Sequence, residues 1–442
     1  MDMTPKEIVA YLDEYVIGQK DAKKTIALAL RTRYRRMQLE SEIQDEIIPK
    51  NILMIGSTGV GKTEIARRLA KMMKVPFVKV EASKYTEVGF VGRDVESMVR
   101  DLLMNAIAIV KEEYQESNLD DIYNYVLNKI VDKLLPPPPS LAPQNKKDDY
   151  EKLRQKMKER VISGEMDDKK IEIELPKKNF EFNNSNMAPE IANVQESISK
   201  MFNSTSKSDI KKEVTVAQAT EILKQEASET LLDMDAITTE AINRTEQGGI
   251  IFLDEIDKIA VGSKNDGRSD PSKEGVQRDL LPIVEGSNVS TKHGQIKTDH
   301  ILFIAAGAFH VSKPSDLIPE LQGRFPLRVE LESLTEKVLY KILSNTKNSL
   351  LRQYEALLHV EEVELIFDDE AIKAMAALAH SANEKTEDIG ARRLHTILEK
   401  IIEDISFEAD EHKGEKFSVT KELVHEKLDK VIEDDDLSRY IL

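Results

Sequence analysis

One stretch of the sequence has the residue types and spacing of a phosphate-binding loop. Gly56–Thr63 reads GSTGVGKT and lies between the apolar run Ile52–Ile55, which predicts a buried strand, and the helical pattern Glu64–Met73. Glycines let backbone N–H groups face one anion, and the helix N-terminus adds its positive dipole end. Lys62 can reach the terminal phosphates of a nucleotide, while the Thr63 hydroxyl can hold Mg²⁺. An ordinary glycine turn is the alternative, which the flanking strand and helix disfavour.

A pair of carboxylates follows a second apolar run. Gly249–Leu253 predicts a buried parallel strand, and Asp254 and Glu255 come directly after it. In parallel α/β sheets the chemistry lies at the carboxyl edge, where these acids would stand. Asp254 could hold the Mg²⁺ that Thr63 also touches, and Glu255 could polarise an attacking water.

Two arginines occupy an unusual place near the C-terminal end. Arg392 and Arg393 follow Gly390-Ala391 at the predicted start of a helix, where the dipole favours acids. An arginine side chain at this end of a helix needs an anion nearby to offset the unfavourable dipole. A surface salt bridge and a nucleotide phosphate are both compatible with the pattern.

A glycine-flanked apolar pair forms another candidate site. Phe90 and Val91 lie between Gly89 and Gly92, and glycines on both sides would leave an exposed aromatic free to move. The alternative is a helix-leading turn with Phe90 packed in a core.

The elements that position these residues can be read from periodicity. We predict a capped helix from Thr4 to about Tyr15, the turn Val16–Gln19 and a basic helix to about Leu39. The remaining predictions are strands at 77–80, 299–306, 328–331 and 417–419, a helix from Val95, and helices at 368–382 and 391–405. Between about residues 109 and 244 the composition changes, and Lys/Asp/Glu-rich segments surround Pro136–Pro139. This change predicts an inserted, mainly helical domain.

Composition narrows the class of protein. The chain has 442 residues, 40% apolar content and a net charge of -17, which argues against a general affinity for nucleic acid or anionic membranes. It has no cysteine, so disulfides, thiolate nucleophiles and thiolate zinc sites are excluded. The acidic start and the absence of a long apolar run lead us to expect a soluble, cytoplasmic protein without a membrane partner.

Together these motifs resemble the AAA+ ATPases. The resemblance rests on the turn Val16–Gln19, the phosphate loop, the segments 89–92 and 319–324, the Gly390–Arg393 turn and the terminus 437–442. It implies an α/β fold: a P-loop ATPase domain with a parallel sheet (1–108 and 245–332), an inserted domain (109–244) and a mainly α-helical C-terminal domain (333–442). It is closest to ring-forming, usually hexameric unfoldases that use ATP and Mg²⁺ to feed unfolded or tagged proteins into a threonine peptidase.

Site roles follow from the resemblance. It places Ile17 against the adenine, assigns Asp254 and Glu255 to metal and water, and makes Lys62 and Arg324 catalytic, with Arg324 and Glu320 near a neighbouring subunit's nucleotide. Arg392 would read the γ-phosphate in its own subunit. The residues lining the phosphates would be Gly59, Val60, Gly61, Lys62, Thr63 and Glu64. The strand ending at Ala306 lacks the polar residue that many AAA+ proteins use to place the water, so that role is unassigned.

The C-terminal residues would form the contact with the partner peptidase. The proposed anchors are Leu437, Tyr440, Ile441 and Leu442. Docking of the same residues on their own small domain is the alternative. The rival classes are a ClpX-like unfoldase, which the lack of cysteine disfavours, a nucleic-acid motor, which the acidic balance disfavours, and a nucleotide-gated scaffold, which would not need Glu255.

Overall fold

The computed structural model describes residues 3–87, 92–136, 144–175, 210–260 and 271–433. The chain forms two compact units, one comprising Met1–Ile109 and Thr238–Leu442 and the other Val110–Ile237. The predicted loop residues Gly89, Phe90 and Val91 and the predicted docking segment 437–442 lie outside the described residues.

The elements are numbered along the chain. The first part contains α1 (Pro5–Asp13), α2 (Lys20–Arg36), α3 (Ser41–Glu46), β1 (Ile52–Ile55), α4 (Lys62–Met73), β2 (Phe77–Glu81) and α5 (Ser97–Ser117). The middle contains α6 (Leu119–Leu134), α7 (Gln144–Ile162), β3 (Lys170–Leu175), β4 (Ile210–Thr215) and α8 (Val216–Leu231). Next come α9 (Met234–Gly248), β5 (Ile250–Asp254), α10 (Pro271–Glu285), β6 (Asn288–Thr291), β7 (Gly294–Lys297), β8 (Leu302–Gly307), α11 (Pro319–Gly323) and β9 (Leu327–Glu330). The last part contains α12 (Glu336–Ser344), α13 (Leu350–Val360), β10 (Glu364–Phe367), α14 (Asp369–Lys385), α15 (Arg392–Phe407), β11 (Lys416–Val419) and α16 (Lys421–Glu433).

A five-stranded parallel sheet organises the larger unit. Its order is β2-β5-β8-β1-β9, and all neighbouring strands are parallel. β5 and β8 lie inside the sheet and are almost entirely buried, as the continuous apolar sequence of each predicts when helices cover both faces. The carboxyl ends of β1 and β5 therefore lie at the same edge of the sheet, separated by β8. The predicted α/β class is confirmed.

The sequence predicted the start of α1 correctly and the start of β8 incorrectly. The Thr4 hydroxyl accepts from the Glu7 backbone N–H and the Glu7 carboxylate accepts from the Thr4 N–H, which is the predicted capping box of α1. The strand predicted from Asp299 is wrong at its start, because a turn closed by the Ile301 N–H and the Thr298 carbonyl delays β8 until Leu302.

The C-terminal part of the larger unit is a helical layer with a small sheet. β11 was predicted alone, but it pairs in parallel with β10, and the two strands join α12–α16. The apolar faces of α14 and α15 supply buried side chains such as Met375, Ile397 and Ile401. A sequence pattern of 3.6-residue period explains these faces.

The smaller unit has a core of its own. β3 and β4 pair antiparallel, with Ile171 and Ile173 facing inward along with Val214 of the partner strand. Ile130 of α6 and Leu223 of α8 pack in the same cluster. The sequence pattern indicates helices here and gives no signal of the strand pair.

Candidate nucleotide-binding site

The phosphate loop leaves β1 and turns directly into α4. Gly59 has a φ of +77° and Gly61 a φ of +105°, conformations that side-chain-bearing residues rarely adopt. These turns leave backbone N–H groups at the N-terminus of α4, where an anion is favoured. The loop lines a cleft of about 800 Å³, within the usual range of roughly 300–1,000 Å³ for small-molecule sites.

Lys62 begins α4 and is held inside the loop. Its Nζ donates to the carbonyl oxygens of Gly56 and Ser57, the second at 2.8 Å. Burial lowers the pKa of Lys62 from its usual value, whereas the charges of Asp254 and Asp257 act in the opposite direction. The loop thus fixes an ammonium group at the place where phosphates would lie. The buried Ser57 Oγ has no hydrogen-bond partner among the described residues and offers the loop a further polar atom.

Asp254 gathers three donors at the end of β5. Its Oδ2 accepts from the Thr63 hydroxyl at 3.1 Å and lies 2.9 Å from the Lys79 Nζ, while its Oδ1 accepts from the Glu255 backbone N–H at 3.1 Å. A hydroxyl and a carboxylate oxygen are ligands that Mg²⁺ prefers. The predicted pair Thr63 and Asp254 therefore fits a magnesium ion chemically.

Glu255 stands where the strand ends in an uncommon backbone conformation. Its φ is +56°, a region that costs a residue with a side chain about 1–3 kcal/mol and is enriched at functional sites. The side chain is exposed in the cleft, and its Oε2 accepts from the Ser83 hydroxyl at 3.0 Å. The turn aims a solvated carboxylate at the same space as the phosphate loop.

The apolar end of the cleft is formed by the turn after α1. Ile17 lines it beside Val16, with Leu334 and Leu350 from the C-terminal part of the unit. Gln19 has a φ of +55° and anchors this turn by two side-chain hydrogen bonds to the backbone of Glu332, of 2.8 and 2.9 Å. Such a surface suits the flat apolar faces of a nucleotide base, and the contact of Ile17 with adenine stays a prediction.

The two adjacent arginines have different environments. Arg393 is buried and donates to Asn383 Oδ1 at 2.9 Å, to Thr386 Oγ1 at 2.8 Å and to the Glu387 carbonyl at 2.6 Å, so it holds the turn before α15. Arg392 is exposed and lines the cleft. Within the described ranges no ion pair involves Arg392, which removes the surface salt bridge as an account of it there.

Glu64 and the pair Glu320 and Arg324 differ from the other predicted residues. Glu64 lines the cleft but its carboxylate is shared by Arg67 and Arg68, both at 2.6 Å. Glu320 and Arg324 are exposed and do not line the cleft of their own chain, and Arg324 pairs with Glu285 at 2.7 Å.

Some residues in or beside the cleft were not predicted from the sequence. Lys79 does not line the cleft but pairs with Asp254 at 2.9 Å, and its signal was a charge inside the apolar strand Phe77–Glu81. His310 and Ser312 line the cleft on the loop after β8, beyond the apolar strand end that left the water-placing role unassigned.

Comparison with known proteins shows the family of the chain. A family model described as "ATPase family associated with various cellular activities (AAA)" matches residues 52–118, and one described as "AAA domain (Cdc48 subfamily)" matches residues 169–328. The chain is 62% identical over 442 residues to the ATP-dependent protease ATPase subunit HslU of Helicobacter pylori (strain G27), covering 100% of this chain and 99% of the relative. It is also 62% identical over 442 residues to the protein of the same name from Campylobacter jejuni subsp. jejuni serotype O:2, covering 100% of both.

The fold and the cleft thus define an ATPase of the AAA class. Within that class, the chain belongs to the HslU family of ATP-dependent protease ATPase subunits. In the part of the chain that the structure describes, no helix is long and apolar enough to cross a membrane.

Proposed function

We propose that this chain hydrolyses ATP to unfold proteins and deliver them to an HslV-type threonine peptidase, which it also activates. The observation that carries the ATPase part is the meeting of Thr63 and Asp254. These residues are 191 positions apart, and they come within 3.1 Å where the first turn of α4 meets the end of β5, in a cleft that the phosphate loop also lines. The peptidase part is supported by membership of a family named for protease ATPase subunits.

Each cleft residue has a role that its geometry supports. The loop N–H groups and the Lys62 ammonium hold the phosphates, and Thr63 with Asp254 holds Mg²⁺, which neutralises developing phosphate charge when bound. Glu255, solvated and aimed into the cleft, orients the attacking water and accepts its proton. Ile17 contacts the base, and Arg392 contacts the γ-phosphate from its own chain.

Arg324 and Glu320 act on a neighbouring subunit. Both are exposed outside the cleft of their own chain, so an arginine finger at this position needs a second copy to reach a nucleotide. We therefore propose a homo-oligomeric ring, hexameric as the family resemblance implies. In the present chain Glu285 holds the Arg324 guanidinium until such a partner is engaged.

Two segments outside the described residues complete the proposal. The loop Gly89–Gly92 would grip unfolded or tagged protein substrates through Phe90, and the terminus Leu437–Leu442 would dock on the peptidase. We place the protein in the cytoplasm, with no nucleic-acid or membrane partner. The comparisons do not favour a ClpX-like unfoldase.

Reconstitution tests the proposal. Purified protein is mixed with an HslV-type threonine peptidase, a folded fluorescent protein substrate and ATP with Mg²⁺. We expect co-purification of the two proteins with ATP, and loss of substrate fluorescence only when both proteins and hydrolysable ATP are present. ATPase activity stimulated by DNA or RNA, without a complex with the peptidase, would replace this function with a nucleic-acid motor.

A further inference from the structure

A buried lysine packs behind the turn that forms the apolar end of the cleft. The side chain of Lys23, on α2, is 0% exposed. Its Nζ donates to the Val16 carbonyl oxygen and, at 2.5 Å, to Asp13 Oδ1. Burial of an ammonium group is costly unless the group is paired and hydrogen-bonded. The Asp13 carboxylate is 59% exposed, so the Val16 carbonyl is the acceptor that lies in the interior with the lysine.

The turn has a backbone conformation that needs support. Gly18 has a φ of +74° and Gln19 a φ of +55°, so two consecutive residues lie in the left-handed region. A residue with a side chain keeps such a conformation only where its surroundings fix it, and such residues cluster at functional sites. Gln19 bonds to the Glu332 backbone, and Lys23 holds the Val16 carbonyl, so the turn is fixed at both of its ends.

The Val16 carbonyl belongs to the peptide group that also carries the Ile17 N–H. A peptide group is planar and trans, so its C=O and N–H point in opposite directions. Because the carbonyl points at the Lys23 ammonium, the Ile17 N–H points away from it. Ile17 is half-buried and lines the cleft, and among the described residues its N–H has no hydrogen-bond acceptor. A half-buried N–H without an acceptor suits one that a ligand brings.

The turn is also tied to the phosphate loop. Gln19 Nε2 donates to the Val60 carbonyl oxygen at 3.4 Å, and a Cβ added to Gly61 would lie 3.3 Å from Val16 Cγ1. The Ile17 N–H is therefore held at a set distance from the loop that would bind phosphates. Recognition of one nucleotide through both its base and its phosphates requires such a fixed spacing.

We infer that Lys23 is a positioning residue for selection of the nucleotide base. By holding the Val16 carbonyl, it directs the Ile17 N–H toward the ring-nitrogen acceptor on the pairing edge of adenine. Guanine carries an N–H at the equivalent ring position, so two donors would face each other without an acceptor. Lys23 itself does not touch the nucleotide. The inference rests on the proposed ATPase function and names the group that gives it a preference for adenine.

Competition binding tests the inference. Lys23→Met keeps the apolar stem of the side chain and removes its donors. With a fluorescent ATP analogue and Mg²⁺ as the displaced probe, Kd values are measured for ATP, GTP and inorganic tripolyphosphate. We expect the natural chain to prefer ATP to GTP, and Lys23→Met should lower that preference by about tenfold or more. The Kd of tripolyphosphate, which has no base, should stay unchanged.

Steady-state kinetics and matched variants separate positioning from a structural role. In Lys23→Met the KM for ATP should rise while kcat stays near that of the natural chain, because the groups at the phosphates are untouched. Lys24→Met removes an exposed lysine of the same helix and should change none of these values. Asp13→Asn keeps an oxygen for Lys23 and should keep the preference for ATP. Equal weakening of ATP, GTP and tripolyphosphate binding in Lys23→Met would show general loosening of the cleft and overturn the inference.

The melting temperature checks that Lys23→Met is folded under the assay conditions. If it is not, Lys23→Gln takes its place, since its amide keeps a polar group beside Asp13 but is one bond shorter than the lysine. The same loss of preference for ATP is expected from it. An unchanged ratio of the two Kd values in the folded variant would overturn the inference.

The same measurements distinguish this inference from the proposed function. If the natural chain binds ATP and GTP equally well, no group reads the base, and the inference is wrong while the ATPase function stands. If the natural chain binds neither the nucleotides nor tripolyphosphate, the proposed ATPase function itself is refuted.

Discussion

Substitution of Gly390 by alanine tests how the phosphate loop is joined to the C-terminal helices. Gly390 has a φ of +59°, and a Cβ there would lie 2.7 Å from the Thr58 carbonyl oxygen and 2.8 Å from the Gly59 carbonyl carbon. The neighbouring Ala391 N–H already donates to the Gly59 carbonyl at 3.2 Å. Both sides of the contact are backbone, so neither can rotate away as a side chain would.

The free-energy cost of Gly390→Ala has two parts. Placing alanine in the left-handed region costs about 1–2 kcal/mol, and an overpacked contact adds about 1–3 kcal/mol. The turn cannot yield easily, because the Asn383 Nδ2 holds the Gly390 carbonyl at 3.1 Å and Asp388 holds its N–H at 3.0 Å. We expect the loop and the turn to separate, which moves Arg392 away from the phosphates.

A change in nucleotide affinity would report that the phosphate loop and the Gly390 turn have moved apart. If the contact cost of about 1–3 kcal/mol appears in binding, the Kd of a fluorescent ATP analogue with Mg²⁺ should rise roughly 5–150-fold. The matched control is Gly414→Ala, which has a φ of +80° but nothing within 4 Å of the added Cβ. It should lower the melting temperature through backbone strain alone and leave the Kd unchanged. Equal loss of stability in both variants, with wild-type affinity in Gly390→Ala, would refute the reasoning.

The remaining predictions concern catalysis, substrate grip and docking. Glu255→Gln should keep ATP affinity, because Asp254 remains, and should lower turnover by at least about a hundredfold; a parallel fall of binding and hydrolysis would contradict its role. Lys62→Ala should weaken ATP binding itself in an equilibrium titration, and unchanged affinity would refute the phosphate contact. Phe90→Ala should leave ATPase activity and melting temperature near normal but stop degradation of a folded substrate; a drop of many degrees would make Phe90 a core residue. Deleting Leu437–Leu442 should abolish activation of the peptidase and leave the basal ATPase activity unchanged. Full activation by the truncated protein would show that these residues have a structural role instead.

Local patterns predicted the elements that carry the chemistry. The strand ending in Asp254 and the loop Gly56–Thr63 each combine an apolar run with a polar terminus, and the Thr4 capping box marks a helix start within four residues. Such signals depend on neighbours in sequence, so one chain suffices to read them. The AAA class, which the resemblance of these and further motifs implied, is confirmed.

Pairings between distant segments could not be predicted in the same way. β10 was not predicted because its four residues form a strand by pairing with β11, which lies about fifty positions later in the sequence. The antiparallel pair β3 and β4 lies on either side of a long polar stretch and was missed for the same reason. In the sequence Lys79 is one residue of an apolar strand, and only the pairing of β2 with β5 brings its ammonium to Asp254.

The arginine pair after Gly390 shows how the fold decides between hypotheses that sequence leaves open. Both residues stand at the start of α15, where the helix dipole disfavours a cation. Arg393 meets that cost with neutral acceptors, donating to an amide oxygen, a hydroxyl and a carbonyl that also fix the turn. Arg392 points the other way, into the cleft beside the phosphate loop, and solvent bears its charge. An arginine placed at an unfavourable helix end and supported by its buried neighbour is arranged for an anion that arrives with a ligand, which is the role we propose for it.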